Sequence, residues 1–184
     1  VGFTDSLRSE LLHDRSQVRV TVVHLPAINT PQFEWGRTRL PRHPQPVPPI
    51  FQPEVAAEAI LWVVEHPERE IHVGFPTTIA IAAQKIAPGL ADRYLADTAY
   101  DGQQTSDPVS SSRPDNLFEP VPGEFAAHGR FDSRAHSRSA QLWLKTHSRK
   151  LGIAAITGAV ALAGWILRPR RDLKLPRVRI RRAG

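Results

Sequence analysis

The sequence predicts an α/β protein: the carboxyl-terminal half of a doubly wound sheet, followed by a poorly ordered linker and a single apolar helix. Three observations predict it. Residues 1–76 alternate helical and strand patterns in the order helix, strand, proline-broken loop, helix, strand, which is the order of half a doubly wound sheet. Residues 101–150 are polar and rich in Ser, Asp, Pro and Arg. Residues 151–167 carry no charge at all.

The first helix is read from Phe3, Leu7 and Leu11, spaced i, i+4, i+8 with Leu12 beside them, while Asp5, Arg8, Ser9 and Glu10 fall on the opposite face. The pattern is already running at Val1-Gly2-Phe3, which leads us to expect a longer protein with further sequence upstream. After the polar break His13-Asp14-Arg15-Ser16, the β-branched run Val18–Val23 predicts a strand entering a buried sheet. Pro26 ends it. Seven prolines between Pro31 and Pro53 largely exclude regular structure there and predict a long, stiff loop. Pro53 suits the first position of a helix, and Val55, Ala56, Ala59, Ile60, Val63 and Val64 form its apolar face until Pro67 stops it. Residues 70–74 predict a second strand. An Ala/Ile/Leu pattern over 77–100, interrupted at Pro88-Gly89, predicts two short helices. A polar composition makes 101–150 a linker largely without a core of its own, which the scattered aromatics Phe118, Phe125 and Phe131 could tack onto a surface.

The 184 residues carry a net charge of +6, with no Cys and no Met, so disulfide scaffolds and thiolate metal sites are excluded. The charge is uneven. Residues 168–184 hold eight Arg and Lys against Asp172, so everything before that basic tail is close to neutral, and charge does not argue for a nucleic-acid partner. Residues 151–167 would span about 25 Å as a helix, a little short of a ~30 Å hydrocarbon core, and are a candidate transmembrane helix at the lower length limit. A packed Ala/Gly-rich core helix is the alternative. The adjoining basic tail favours a membrane surface carrying anionic headgroups. The expected location is therefore membrane-associated, with the folded portion in the cytoplasm, and a shallow or re-entrant segment would reconcile the basic residues at both ends of 151–167.

Residues 1–12, VGFTDSLRSELL, resemble the helix that follows the catalytic Tyr-x-x-x-Lys pair in short-chain dehydrogenases/reductases. The segment Leu25-Pro26-Ala27-Ile28-Asn29-Thr30 resembles that family's Pro-Gly-x-(Val/Ile)-x-Thr loop, with the proline moved one step and the glycine replaced by proline. The similarity covers residues 1–76 and implies a Rossmann-like fold, in which 18–23 and 70–74 are the last two strands and 53–66 the last large helix. It further implies an NAD or NADP cofactor, an alcohol/carbonyl substrate and hydride transfer between them. The backbone of Ile28 would meet the nicotinamide carboxamide, and Thr30 would bond to it or to the diphosphate. Phe33 and Trp35 lie where the family carries its substrate loop, and serve either as apolar contacts to a substrate or as loop anchors.

The family's phosphate loop and Tyr/Lys pair have no counterpart in the chain. Tyr94 is followed four residues on by Thr98, and Tyr100 by Gln104, so no catalytic residue is assigned and the chain by itself is expected to be inactive. The missing amino-terminal half of the fold is then an expected partner, and a homo-oligomer is compatible with the reading. The rival reading is a non-catalytic, membrane-bound binding or scaffold protein that retains half the fold. His66, Glu70 and His72 straddle Pro67, and His128, His136 and His147 lie in the polar stretch, so both sets read as solvated rather than metal-binding. Arg37, Arg39 and Arg42 read as loop charges.

Overall fold

A computed structural model describes residues 1–124 and 126–166. The chain divides into two units, Val1–Thr146 and His147–Gly184. The first contains α1 (Gly2–His13), β1 (Val22–His24), β2 (Ala27–Ile28), α2 (Gln32–Trp35), β3 (Arg42–Pro44), β4 (Ile50–Phe51), α3 (Pro53–Glu65), β5 (Glu70–His72), α4 (Phe75–Ile86), α5 (Pro88–Gly102), β6 (Gln104–Pro108) and β7 (Ala135–His136). The helix α6, Ala140–Ile166, begins in the first unit and runs on into the second.

β1 and β5 pair in parallel, with Val22 opposite Glu70 and His24 opposite His72. A second parallel sheet has the order β2-β4-β7, and β3 and β6 form an antiparallel pair. This mixed α/β architecture with parallel sheets fits a Rossmann-like fold. The parallel β1–β5 pair requires a crossover, and α3 supplies it as expected, starting on Pro53, whose missing N–H costs nothing in a first turn. Its buried residues Val55, Ala59 and Val63 pack with Phe51, Ile71, Val73 and Leu142 into the core, and Val23, Ile28 and Trp62 close its margin. Of the six apolar positions read from the sequence, Val55, Ala56, Ala59 and Val63 are buried, whereas Ile60 and Val64 are exposed.

The strand expected over 18–23 is paired only from Val22 to His24. Side chains take the hydrogen bonds before that point: Arg8 donates from α1 to the Val20 carbonyl at 3.1 Å, and Thr21 Oγ1 donates to Glu68 O at 2.7 Å. β5 is likewise shorter than 70–74, because Gly74 turns out of the sheet with φ 81°, a left-handed conformation that favours glycine, and begins α4. α1 forms over the expected residues but buries none of them, and Phe3 and Leu12 are exposed.

Two segments differ from the sequence reading. The proline-rich loop contains α2, β3 and the central strand β4, whose Ile50 and Phe51 are buried. Two- and three-residue strands are too short to show a period, so prolines dominate the pattern there. The stretch 101–150, expected as a coreless linker, is also corrected. β6 pairs with β3, β7 extends the sheet beside β4, Phe131 is buried, and α6 starts at Ala140 with Leu142 in the core. A short 3-10 turn, Asp132–Arg134, leads into β7.

The expected apolar helix 151–167 is not a separate element. Residues 151–166 continue a 27-residue helix that already contains Lys145 and Lys150, and among the described residues no helix is long and apolar enough to cross a membrane. The uncharged run described would reach only about 24 Å at 1.5 Å per residue. Leu167 and the basic tail 168–184 lie outside the described residues.

Candidate functional site

The carboxyl ends of the parallel strands are where ligands bind in open α/β sheets, and the chain places its unusual polar groups there. β2 ends in Ile28, whose carbonyl accepts from Thr30 N at 3.0 Å, while Asn29 N donates to Phe51 O at 2.8 Å. This tight turn brings Ile28 and Thr30 to the wall of an open groove of about 660 Å³ whose other walls include Phe33, Val47, Pro53 and Gln103. Three of the four residues singled out in the sequence, Ile28, Thr30 and Phe33, therefore share one groove. Trp35 does not; it faces Phe118 and Pro120 around a separate cleft. The reason is helical: α2 is a single turn, so residues two apart leave it in different directions. Phe33 also meets Phe131 edge-on, at 6.1 Å between ring centroids. Of the loop arginines, Arg42 pairs with Asp101 and Arg37 lies 3.7 Å from Asp115.

Behind the groove wall is a polar clasp that the sequence did not reveal. Asn29 is fully buried; its amide donates to Gln52 Oε1 at 3.0 Å and Asp132 Oδ1 at 2.8 Å, and its Oδ1 accepts from Phe131 N at 3.1 Å. His128 extends the network, 2.9 Å from Asp132 and 2.8 Å from Glu54 at the start of α3. Gly129 passes so close that a Cβ on it would lie 2.5 Å from the Thr30 carbonyl oxygen. Only a glycine fits there, because the neighbour is backbone and cannot yield. The segment 128–132, remote in sequence, thus holds the Ile28–Thr30 turn in place. The Asn-Thr pair and the His-Gly-x-Phe-Asp run were visible in the sequence, but nothing in either signals that they meet.

The hydrogen bond to Glu54, and then that to Asp132, raises the His128 pKa above its usual 6.5. Glu54 is lowered from 4.5 chiefly by its bond to His128, and Asp132 is lowered from 3.8 chiefly by Gln52 and then by His128. The His128 contribution is fully present below pH 6.5 and is lost as pH rises through its raised folded value. The carboxylate contributions are present above pH 4.5 and are lost as pH falls through their lowered folded values. Hydrogen-exchange protection of the Gly129 and Phe131 amides is expected to be greatest between pH 4.5 and 6.5, after correction for the intrinsic exchange rate. Protection that does not change from pH 5 to pH 9 would remove the ion pairs from the clasp.

A second polar cluster lies along the β1–β5 pair, with His24 and His72 at the carboxyl ends and Glu70 at the start of β5. His24 Nε2 is 3.1 Å from Glu70 Oε2, His72 Nε2 is 3.9 Å from the same oxygen, and the two imidazoles meet edge-on at 4.9 Å. The bond from His24 holds the Glu70 carboxyl below its ordinary value, and burial followed by the charge of His24 lowers His72. His66, grouped with Glu70 and His72 in the sequence, is elsewhere: its ring stacks on Trp62 at 4.8 Å. Of the more distal histidines, His136 tilts against Phe51.

Against this geometry, one curated protein is informative. The chain is similar to an oxidoreductase. The uncharacterized oxidoreductase YxnA of Bacillus subtilis is 30% identical over 165 residues, covering 89% of this chain and 45% of that protein. The chain therefore spans less than half the length of that relative. No protein-family model matches the chain, and no solved structure matches it.

Proposed function

We propose that the protein is an NAD(P)-dependent oxidoreductase of the short-chain dehydrogenase/reductase type, interconverting an alcohol and a carbonyl, and that this chain contributes the side of the site that receives the nicotinamide. The observation that carries the reading is the meeting of Ile28, Thr30 and Phe33 on one groove at the carboxyl end of a parallel strand. The similarity to a protein named as an oxidoreductase supports it independently.

The residues present suit a nicotinamide. A carboxamide offers donors and an acceptor; the Ile28 carbonyl retains a second lone pair beside its bond to Thr30 N, and the Thr30 hydroxyl has no hydrogen bond among the described residues. The bound nicotinamide supplies or accepts the hydride. Ile28 and Thr30 hold the carboxamide and so set which ring face meets the substrate. Phe33, with Val47 and Pro53, gives the groove an apolar wall against which the ring would pack. Asn29 and the clasp keep the turn from relaxing. Tyr94 and Tyr100 are exposed on α5 and lack a lysine four residues on, so neither is a proton donor to the carbonyl. Under this reading the proton-transfer pair and the phosphate loop are supplied from outside this chain.

The test is a fluorescence titration of the full-length protein with NADH and NADPH. Thr30→Ala is expected to weaken binding of the preferred cofactor by about 0.5–1.5 kcal/mol, roughly two- to tenfold, for one lost hydrogen bond between neutral groups. Wild-type affinity in the variant would return Thr30 to a turn-forming role, and no binding of either cofactor by the wild type would sink the reading.

A further inference from the structure

The geometry points to a divalent transition-metal site formed by His24, Glu70 and His72, taking Zn²⁺ or an ion of the same class. Among the described residues this is the one group of three His, Asp or Glu side chains whose ligand atoms lie close enough to share an ion, all within 4.8 Å of one another. Strand register creates it. His24 and His72 stand opposite each other in the parallel β1–β5 ladder, and Glu70, two residues before His72, projects from the same face of its strand. The backbone thus sets three ligands side by side, and only rotamers remain to be chosen.

Zinc binds imidazole nitrogen and carboxylate oxygen at about 2.0–2.2 Å, so ligand atoms of a tetrahedral site lie about 3.3–3.6 Å apart. The observed 3.1 Å between His24 and Glu70 and 3.9 Å between His72 and Glu70 bracket that spacing. The remaining edge, between His24 and His72, has to close from at most 4.8 Å by rotation of two rings that already meet edge-on. The side chains retain 19%, 28% and 27% of their exposure for His24, Glu70 and His72, which leaves one side open for a water as fourth ligand. Three protein ligands with an open fourth position is the arrangement of reactive rather than purely structural zinc sites. Two imidazoles and one carboxylate select Zn²⁺, Co²⁺, Ni²⁺ or Cu²⁺ over Mg²⁺ and Ca²⁺, which need mostly oxygen ligands.

Two cations oppose a bound metal: Lys85 of α4, whose charge acts on both Glu70 and His72, and Arg69, 4.0 Å from Glu70. Arg69 is also held by Asp5, whereas Lys85 is exposed at the end of its helix. Lys85 therefore provides a test that ligand deletion cannot. Removing its charge must strengthen the binding of a cation at this position and would not affect adventitious binding elsewhere.

The experiment is calorimetric titration of the chelator-treated, refilled-buffer chain with Zn²⁺, together with the visible absorption of Co²⁺, and needs no nicotinamide, so its outcome is separate from that of the oxidoreductase reading. One equivalent of Zn²⁺ and an intense tetrahedral Co²⁺ spectrum are expected. His72→Gln and Glu70→Gln are expected to weaken binding by more than about tenfold, a lower bound set by the loss even of outer-shell partners. Lys85→Gln is expected to tighten it by a few-fold, and His13→Gln, exposed on α1, to leave it unchanged. Circular dichroism establishes that each variant is folded, and His24→Asn replaces any that is not. Absence of binding by the wild type overturns the proposal. So does binding that survives His72→Gln undiminished or falls equally in His13→Gln.

Discussion

Asn29→Ala is expected to lower the stability of the first unit by about 3 kcal/mol, measured by urea unfolding. Asn29 is wholly buried and makes three side-chain hydrogen bonds, to Gln52, Asp132 and the Phe131 amide. An intact bond contributes only about 1 kcal/mol net, but a buried group left without its partner loses about 1–3 kcal/mol through desolvation. Alanine strands the Phe131 N–H and the Gln52 carbonyl oxygen together. Asp132 cannot relieve the Gln52 oxygen, since both are acceptors. Asn29→Asp is not expected to rescue the loss, because it restores the acceptor for Phe131 but sets a carboxylate against Asp132. Asn29→Ala should also lower hydrogen-exchange protection at Gly129: its N–H bonds to the Asn29 backbone carbonyl at 3.2 Å, which alanine keeps, but the side-chain bonds that hold 128–132 against the turn are gone. A loss below about 1 kcal/mol would mean that the clasp is ornamental and that other contacts hold the Ile28–Thr30 turn.

Leu142→Ala should have an effect of similar size, about 2–5 kcal/mol, the range for emptying a packed leucine site. Leu142 is 1% exposed and lies in the core with Val55, Val63 and Ile71, whereas Leu144 in the same helix is 46% exposed. Leu144→Ala should therefore stay within about 0.5 kcal/mol of wild type. The comparison isolates burial, since both substitutions remove the same atoms from the same helix. Around Leu142, Ser139 Oγ accepts from Leu142 N at 3.2 Å, Gln141 accepts from Gly74 N at 2.9 Å, and Lys145 reaches Glu68 at 2.8 Å. Equal effects of the two substitutions would mean that the start of α6 does not close the core and that residues 101–150 are the linker their composition suggests.

Much of the scaffold was legible because its residues obey one period. α3 was readable from Pro53, the Val55/Ala59/Val63 face and Pro67, and α4 and α5 from an apolar pattern interrupted at Pro88-Gly89. For the groove, the position of Ile28 and Thr30 after a strand and before Pro31 was a local signal, and both residues do line it. Trp35 shows the limit: spacing along a loop does not say which way a one-turn helix will point its side chains.

The order of the long elements and the parallel pairing implied by a helix between two strands were legible locally, although the apolar face of α1 stays exposed at Phe3 and Leu12. Those follow from local periodicity and from proline, which act within a few residues. Long-range packing makes β4 central, folds 128–136 back over the Asn29 turn, and sets His24 rather than His66 beside Glu70 and His72. The physical reason is that each of these depends on register between distant strands. A shift of one residue in β1 would turn His24 to the opposite face, and no pattern within residues 22–24 specifies which residue of β5 it meets.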